Sequence, residues 1–202
     1  MIDVFDARVV PLASISDPAH VDAIGDGLAE GGLPVVEVAL RGAHGLAAIE
    51  RLAARGDLLV GAGTVLDPER AERALDAGAA FVVAPGFDER VVDAVRAAGV
   101  PMIPGVLTPT EVQRALAAGL TRLKLFPAGA VDALGILSAY ADVFREARFM
   151  PSGGVREANL AEHLAHPAVF AASGSWIAAA AAHGAEAVAQ AARSAVAIAA
   201  RA

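Results

Sequence analysis

The sequence predicts an α/β protein in which residues 1–202 form one domain, a (β/α)₈ or TIM barrel. Short apolar runs alternate with longer segments rich in alanine, leucine, glutamate and arginine, the pattern of strands that are each followed by a helix. The unit repeats eight times. Eight parallel strands covered by helices close most naturally into a barrel, with an open doubly wound sheet as the alternative.

The elements follow one another at a regular spacing. We predict strands at 9–14, 35–40, 58–62, 81–84, 102–106, 122–126, 148–152 and 169–173, and their starts lie 20 to 26 residues apart. Asp67-Pro68 and Thr108-Pro109 have the residue types of a helix N-cap and of the first helical position. Glycines stand where a left-handed residue would end a helix before the next strand. These are Gly32, Gly56, Gly78, Gly99 and Gly119.

Composition and charge exclude several classes of function. Hydrophobic residues make up 56% of the chain, so it is not disordered, and charges interrupt residues 177–202, which predicts an alanine-rich helix instead of a membrane span. The acidic start of the chain has no secretory signal, so we expect a cytoplasmic protein. The absence of cysteine excludes disulfides and thiolate chemistry. A net charge of −7 argues against nucleic acid or an anionic membrane as partner.

Lys124 lies inside an apolar run that has the length of one strand. Side chains alternate along a strand, so Arg122, Lys124 and Phe126 share one face, while Leu123 and Leu125 share the other. If the leucines pack against helices, the lysine points into the fold, where an ammonium loses stability relative to the nucleophilic free amine. A solvated edge strand or a buried ion pair would explain this lysine equally well.

Glu37 and Arg41 lie on one face of the strand predicted at 35–40. In a barrel, chemistry takes place at the carboxyl ends of the strands, so a buried glutamate and a buried lysine there suit proton transfer. The alternative is a structural network in which Glu37 and Arg41 pair with each other or with Arg122.

Small residues follow several of the predicted strands. Gly61-Ala-Gly-Thr-Val65 is too short for a dinucleotide fingerprint, but it lets a ligand approach the backbone beside the Thr64 hydroxyl. The last two strands end in Pro151-Ser-Gly-Gly154 and Ser173-Gly-Ser-Trp176, and the loops there are where barrels usually bind phosphate with backbone N–H groups. Ordinary turns are the alternative. The five histidines have no carboxylate partners at ligand spacing, so we expect no metal site and place all five at the surface.

These residues resemble a known family. The motifs are Val36-Glu-Val-Ala-Leu-Arg41, Gly61-Ala-Gly-Thr-Val65, Ala84-Pro-Gly86, Ile103-Pro-Gly105, Lys124-Leu-Phe-Pro-Ala128, Phe149-Met-Pro-Ser-Gly-Gly154 and Gly174-Ser-Trp176. Their order and spacing over about residues 9–177 are similar to those of the 2-keto-3-deoxy-6-phosphogluconate (KDPG)/4-hydroxy-2-oxoglutarate (KHG) aldolases. The resemblance implies a homotrimeric barrel without metal or cofactor that cleaves a phosphorylated 2-keto acid to pyruvate and glyceraldehyde 3-phosphate.

The resemblance also implies a role for each motif residue. Lys124 would form the Schiff base and Glu37 would carry protons. The other implied contacts are Arg41 and Thr64 with the pyruvyl carboxylate, Phe126 and Pro85 along the walls, and Gly153, Gly154 and Ser175 with the phosphate. The chain departs from many relatives at Gly42, where a hydroxyl residue is common, and in residues 9–14, which lack a basic residue.

Three other functions remain open at this point. The first is an aldolase for the galacto-configured substrate, although Pro85-Gly86-Phe87 favours the gluconate type. The second is a sugar-phosphate isomerase or epimerase, which would transfer protons without a covalent imine. The third is a barrel that binds a phosphorylated metabolite and has no catalytic activity.

Overall fold

A computed structural model describes residues 3–202 as strands and helices in alternation. The strands are β1 (Val9–Ala13), β2 (Val35–Ala39), β3 (Leu59–Gly63), β4 (Phe81–Val83), β5 (Met102–Ile103), β6 (Gly105–Val106), β7 (Arg122–Leu125), β8 (Arg148–Pro151) and β9 (Ala172–Gly174). The helices are α1 (Val21–Glu30), α2 (Gly45–Ala53), α3 (Pro68–Asp76), α4 (Glu89–Ala97), α5 (Pro109–Ala117), α6 (Ala133–Val143), α7 (Glu157–Leu164), α8 (Trp176–Ala179) and α9 (Ala185–Ala199).

All the strand pairs are parallel, and the strands form two sheets. Six strands in the order β5-β4-β3-β2-β1-β9 form a half-barrel, and β6-β7-β8 form a second sheet. Isolated bridges from Phe149 to Val169 and from Ser152 to Ser173 connect β8 with the β9 segment. The apolar side chains of strands and helices form one buried cluster, so the chain is an α/β fold with a continuous core.

Two predicted strands differ from the observed ones. The strand predicted at 102–106 is interrupted at Pro104, which has no N–H to donate to a neighbouring strand. The strand predicted at 169–173 runs instead from Ala172 to Gly174, and Val169 takes part only in an isolated bridge. The other six strands lie within a residue or two of the predicted bounds, because their continuous apolar runs are buried on both faces.

The predicted helix ends are confirmed by local geometry. Asp67 and Thr108 are N-caps whose side chains accept hydrogen bonds from backbone N–H groups, and a proline follows each of them. Thr108 and Glu111 form a capping box. The five glycines predicted after helices all have a positive φ, between 68° and 96°. Glycine reaches this region without the steric clash of a Cβ atom.

The single helix predicted over 177–202 is wrong. The short helix α8 continues into a 3-10 turn at Ala180–His183, and Gly184, with φ 94°, separates that turn from α9. A positive φ at Gly184 cannot belong to a right-handed helix, so the chain changes direction there. None of the helices in residues 3–202 has the length and apolar character needed to cross a membrane.

His163 is buried, which contradicts its predicted place at the surface. It lies in α7 beside Leu160 and Leu164, and it is 8% exposed. Burial lowers the pKa of His163 below that of an exposed histidine, because the charged imidazolium is poorly solvated there. Its Nδ1 atom has no hydrogen-bond partner among the residues that the structure describes.

Candidate active site

Lys124 and Glu37 form a buried pair. Lys124 is in β7 and is 3% exposed, while Glu37 is in the middle of β2 and is fully buried. Nζ of Lys124 lies 3.4 Å from Oε1 of Glu37. Leu123 and Leu125, on the opposite face of β7, are buried in the core. The alternation along β7 therefore directs the lysine inward, and the alternative of a solvated edge strand is wrong.

The carboxylate of Glu37 has two further neighbours. Ser173 of β9, also fully buried, donates a hydrogen bond from Oγ to Oε2 at 3.4 Å. Gly63, at the end of β3, lies against the carboxylate, where a Cβ atom at position 63 would collide with Oε1. Glycine at this position therefore makes the space that Glu37 occupies.

Arg41 and Thr64 meet at the carboxyl ends of β2 and β3. Nε of Arg41 donates to Oγ1 of Thr64 at 3.2 Å. Thr64 has φ 60°, the one positive φ among non-glycine residues of 3–202. A β-branched residue in this region is strained by about 1–3 kcal/mol, and such strain is typical of functional loops. Within the same described residues, neither Nη atom of Arg41 has a protein partner.

Phe126 and Pro85, the two residues predicted to line the site, are both half-buried. Nζ of Lys124 is 5.3 Å from the centre of the Phe126 ring, within the range of a cation–π contact. Pro85 follows β4, and a Cβ atom at Gly105 would collide with its backbone. A small residue at Gly105 is therefore required for the Pro85 loop to lie close to β6.

The loops after β8 and β9 lie side by side, because Ser152 forms a bridge with Ser173. Gly153 and Gly154 have φ values of 79° and 94°, and Nδ2 of Asn159 donates to the Gly154 carbonyl at 3.2 Å. Ser175, the exposed N-cap residue of α8, makes no side-chain capping bond. The two loops thus present consecutive backbone groups and a free hydroxyl at one end of the strands.

The structural network considered as an alternative is wrong. Glu37 contacts Lys124, Arg41 contacts Thr64, and Arg122 lies over the Phe170 ring at 5.7 Å. The sequence placed Ser173 only in the stretch predicted to bind phosphate, and its contact with Glu37 was not predicted. A polar residue inside an apolar strand was the available signal, the same one that identified Lys124.

In residues 3–202, no group of three or more histidine, aspartate or glutamate side chains is arranged to hold a metal ion. The polar groups at the carboxyl ends of the strands are instead a lysine, a carboxylate, a guanidinium and hydroxyls. Lysine and arginine side chains of this kind can bind carboxylates, and a lysine amine can attack a carbonyl carbon.

A buried lysine in contact with a glutamate, inside a parallel α/β fold, is typical of enzymes that form imines with carbonyl substrates. A family model described as KDPG and KHG aldolase matches residues 3–193. The chain therefore belongs to the KDPG and KHG aldolase family, as the motif resemblance predicts.

Known relatives are similar to this chain over most of its length. A 2-dehydro-3-deoxy-phosphogluconate aldolase of Treponema pallidum is 42% identical over 184 residues, which cover 88% of this chain and 87% of the relative. A solved 4-hydroxy-2-oxoglutarate/2-dehydro-3-deoxyphosphogluconate aldolase superimposes with a TM-score of 0.89 at 43% identity and covers 98% of this chain and all of its own.

A third relative was solved with a reaction intermediate. It is the KDPG aldolase of Legionella pneumophila, with pyruvate captured as a covalent carbinolamine. Its TM-score with this chain is 0.89 at 33% identity, and the alignment covers 94% of this chain and 95% of the relative.

Proposed function

We propose that the protein is a class I aldolase that reversibly cleaves 2-keto-3-deoxy-6-phosphogluconate to pyruvate and D-glyceraldehyde 3-phosphate. The observation that carries this proposal is the buried contact between Lys124 and Glu37. A lysine without access to bulk water, beside a group that can accept its proton, supplies the neutral amine that attacks a ketone.

The first steps join the substrate to Lys124. A proton moves from the ammonium to the Glu37 carboxylate, 3.4 Å away, and the free amine attacks the C2 carbonyl carbon. Glu37 returns the proton to the carbinolamine hydroxyl, which leaves as water, so that a protonated imine forms and Glu37 is again a carboxylate. The imine nitrogen can accept the electron pair of a bond at C3, which a ketone oxygen does less readily.

Bond cleavage and proton return follow. Glu37, as a carboxylate, accepts the proton of the C4 hydroxyl through a water molecule, the C3–C4 bond breaks, and its electron pair forms the enamine of pyruvate. Glu37 then delivers the proton to the enamine carbon, and hydrolysis of the imine releases pyruvate and restores Lys124. Positioned proton transfer of this kind contributes about 10²–10⁴-fold to the rate.

The polar groups around the pair suit the two ends of the substrate. The Nη atoms of Arg41 can bind both oxygens of the pyruvyl carboxylate, while its Nε holds Thr64 at 3.2 Å. Phe126 and Pro85 would line the space between the pyruvyl carboxylate and the phosphate. The backbone N–H groups of Gly153 and Gly154, together with Ser175, would take the phosphate.

The same proposal includes a closed (β/α)₈ barrel in one domain of residues 1–202. Two features support closure. Met102–Ile103 and Gly105–Val106 are consecutive in the chain and join the two sheets on one side, and the bridge between Ser152 and Ser173 joins them on the other. With β5 and β6 counted as one, the strands number eight. Joined sheets and one core predict a single cooperative unfolding transition.

A second activity is supported by the name of one relative. The solved structure that is 43% identical to this chain is a 4-hydroxy-2-oxoglutarate aldolase as well as a phosphogluconate-type enzyme. The unphosphorylated substrate needs only Lys124, Glu37, Arg41 and Thr64. We therefore expect slower cleavage of 4-hydroxy-2-oxoglutarate to pyruvate and glyoxylate. Assays with the gluconate and galactonate epimers distinguish the two phosphorylated substrates.

Borohydride reduction in the presence of pyruvate tests the proposed function. Borohydride reduces an imine irreversibly, so the wild-type protein should gain the mass of a reduced pyruvyl group on Lys124, mapped by peptide mass spectrometry. The variant Lys124→Met should gain none. Absence of an adduct on the folded wild-type protein would favour an isomerase, an epimerase or a binding protein.

The implied homotrimer and cytoplasmic location belong to the same proposal. Leu66 is 48% exposed and lies beside Gly86 and Phe87 in a surface depression of about 340 Å³. An exposed apolar group at the rim of the proposed site is a natural contact for a second copy of the chain.

A further inference from the structure

Ser173 has a buried hydroxyl that the reaction steps above do not use. It lies in β9, is fully buried, and donates from Oγ to Oε2 of Glu37 at 3.4 Å. The two strands are not neighbours, because β1 lies between them and pairs with both. The hydroxyl of Ser173 therefore reaches across the interior to contact the carboxylate.

The closed barrel explains why these side chains meet. In a (β/α)₈ barrel, one layer of inward side chains comes from alternate strands. With β5 and β6 counted as one strand, β2, β7 and β9 are the second, sixth and eighth. Glu37, Lys124 and Ser173 thus belong to the even-numbered strands and converge at one level of the interior.

The three neighbours of Glu37 restrict its carboxylate to one orientation. Oε1 faces Nζ of Lys124 at 3.4 Å, Oε2 faces Oγ of Ser173 at 3.4 Å, and Gly63 leaves only enough room for the group itself. The terminal torsion of a glutamate is otherwise broad. Without the hydroxyl, the carboxylate can rotate and turn its proton-carrying oxygen away from the lysine.

We propose that Ser173 is a positioning residue, which holds the carboxylate of Glu37 in the orientation that transfers protons to and from the pyruvyl carbon. This inference depends on the proposed roles of Lys124 and Glu37. Ser173 itself need not contact the substrate. Contacts of 3.4 Å are long for hydrogen bonds, and catalytic contacts of this kind shorten when substrate binds.

Exchange of the pyruvate methyl hydrogens with deuterated water tests this role, because exchange needs proton transfer at that carbon. Three variants separate hydrogen bonding from packing. Ser173→Ala removes the hydroxyl, Ser173→Cys keeps the volume with a weak donor, and Ser173→Thr keeps the hydroxyl. We expect kcat for exchange to fall roughly ten- to hundredfold in the first two variants, the effect of one lost hydrogen bond to a charged group.

The remaining readouts should stay close to the wild type. KM for pyruvate and the final extent of borohydride trapping should change little in Ser173→Ala and Ser173→Cys, because Lys124 and Arg41 are intact. Ser173→Thr should recover exchange to within severalfold of the wild type. Ser194→Ala is the matched control, since Ser194 also donates to a glutamate, Glu157, but between α9 and α7 and away from the site.

Two results would overturn the inference. One is exchange at the wild-type rate in Ser173→Ala, and the other is full recovery in Ser173→Cys, which would mean that Ser173 only fills space. If Ser173→Ala does not fold, as judged by circular dichroism, the comparison of the cysteine and threonine variants carries the same test. Failure of the wild-type protein itself to trap pyruvate would instead contradict the proposed function.

Discussion

At the scale of single residues, Lys124 and Glu37 form a buried ion pair. Glu37 is fully buried and Lys124 is 3% exposed, so water solvates both charges poorly and each compensates the other. Removing one member of such a pair leaves an uncompensated charge, which costs about 3–5 kcal/mol. Stability and the proposed catalysis therefore depend on the same two side chains, and substitutions should separate the two effects.

We expect Lys124→Met to abolish cleavage and also to lower the free energy of unfolding by about 3–5 kcal/mol. The double variant Lys124→Met/Glu37→Gln should remain inactive but recover most of that stability, because no unpaired carboxylate is left. Urea unfolding of both single variants, the double variant and the wild type measures the coupling. If Lys124→Met is as stable as the wild type, the negative charge of Glu37 does not need Lys124 to compensate it.

At the scale of elements, the loops after β8 and β9 should control affinity for the phosphate alone. Ser175→Asp puts a negative charge where the phosphate is proposed to bind, while aspartate is a good N-cap and should preserve α8. KM for the phosphorylated keto acid should rise more than tenfold, and pyruvate exchange should hardly change. Ser175→Asn, which has the shape without the charge, is the control. Equal losses for both substrates would place the phosphate elsewhere.

Helix α7 should make stability depend on pH through His163. Because burial lowers its pKa in the folded protein, the unfolded chain binds the proton more tightly. His163 contributes its full share to the free energy of unfolding above about pH 6.5, the ordinary pKa of histidine. That contribution is lost as the pH falls below this value.

The variant His163→Leu should therefore show a smaller loss of unfolding free energy between pH 7 and pH 5 than the wild type. Urea denaturation at several pH values measures it. His183→Leu, which changes an exposed histidine, is the control. If both variants keep the full wild-type dependence on pH, other groups are responsible.

At the scale of the whole molecule, the exposed apolar rim beside Pro85 predicts self-association. Leu66→Asp should shift the protein from the mass of three chains towards that of one, because a charge in an apolar contact is poorly compensated. Light scattering after gel filtration measures the mass. Val143→Asp, at an apolar residue of α6 that is 71% exposed, should leave the trimer intact. If Val143→Asp dissociates the trimer and Leu66→Asp does not, the interface lies at α6 instead.

The sequence by itself determined the order of elements and most of the proposed site. Apolar runs predicted six strands closely, and glycine and N-cap residues predicted the helix ends, because these signals act over a few residues. Alternation placed Lys124 on the face opposite Leu123 and Leu125, but only the burial of those leucines in the core showed that this face is the inner one. The motif order along the chain then indicated the family, which the family model confirms.

Only the tertiary structure decided which side chains meet. Glu37 contacts Lys124 and not Arg41 or Arg122, and Ser173 donates to the other oxygen of the same carboxylate. Both contacts depend on how distant strands come together across the interior. The burial of His163 depends on the face that α7 turns to its neighbours. These contacts are made by residues far apart in the chain. The local sequence pattern of one segment cannot predict how that segment packs against a distant one.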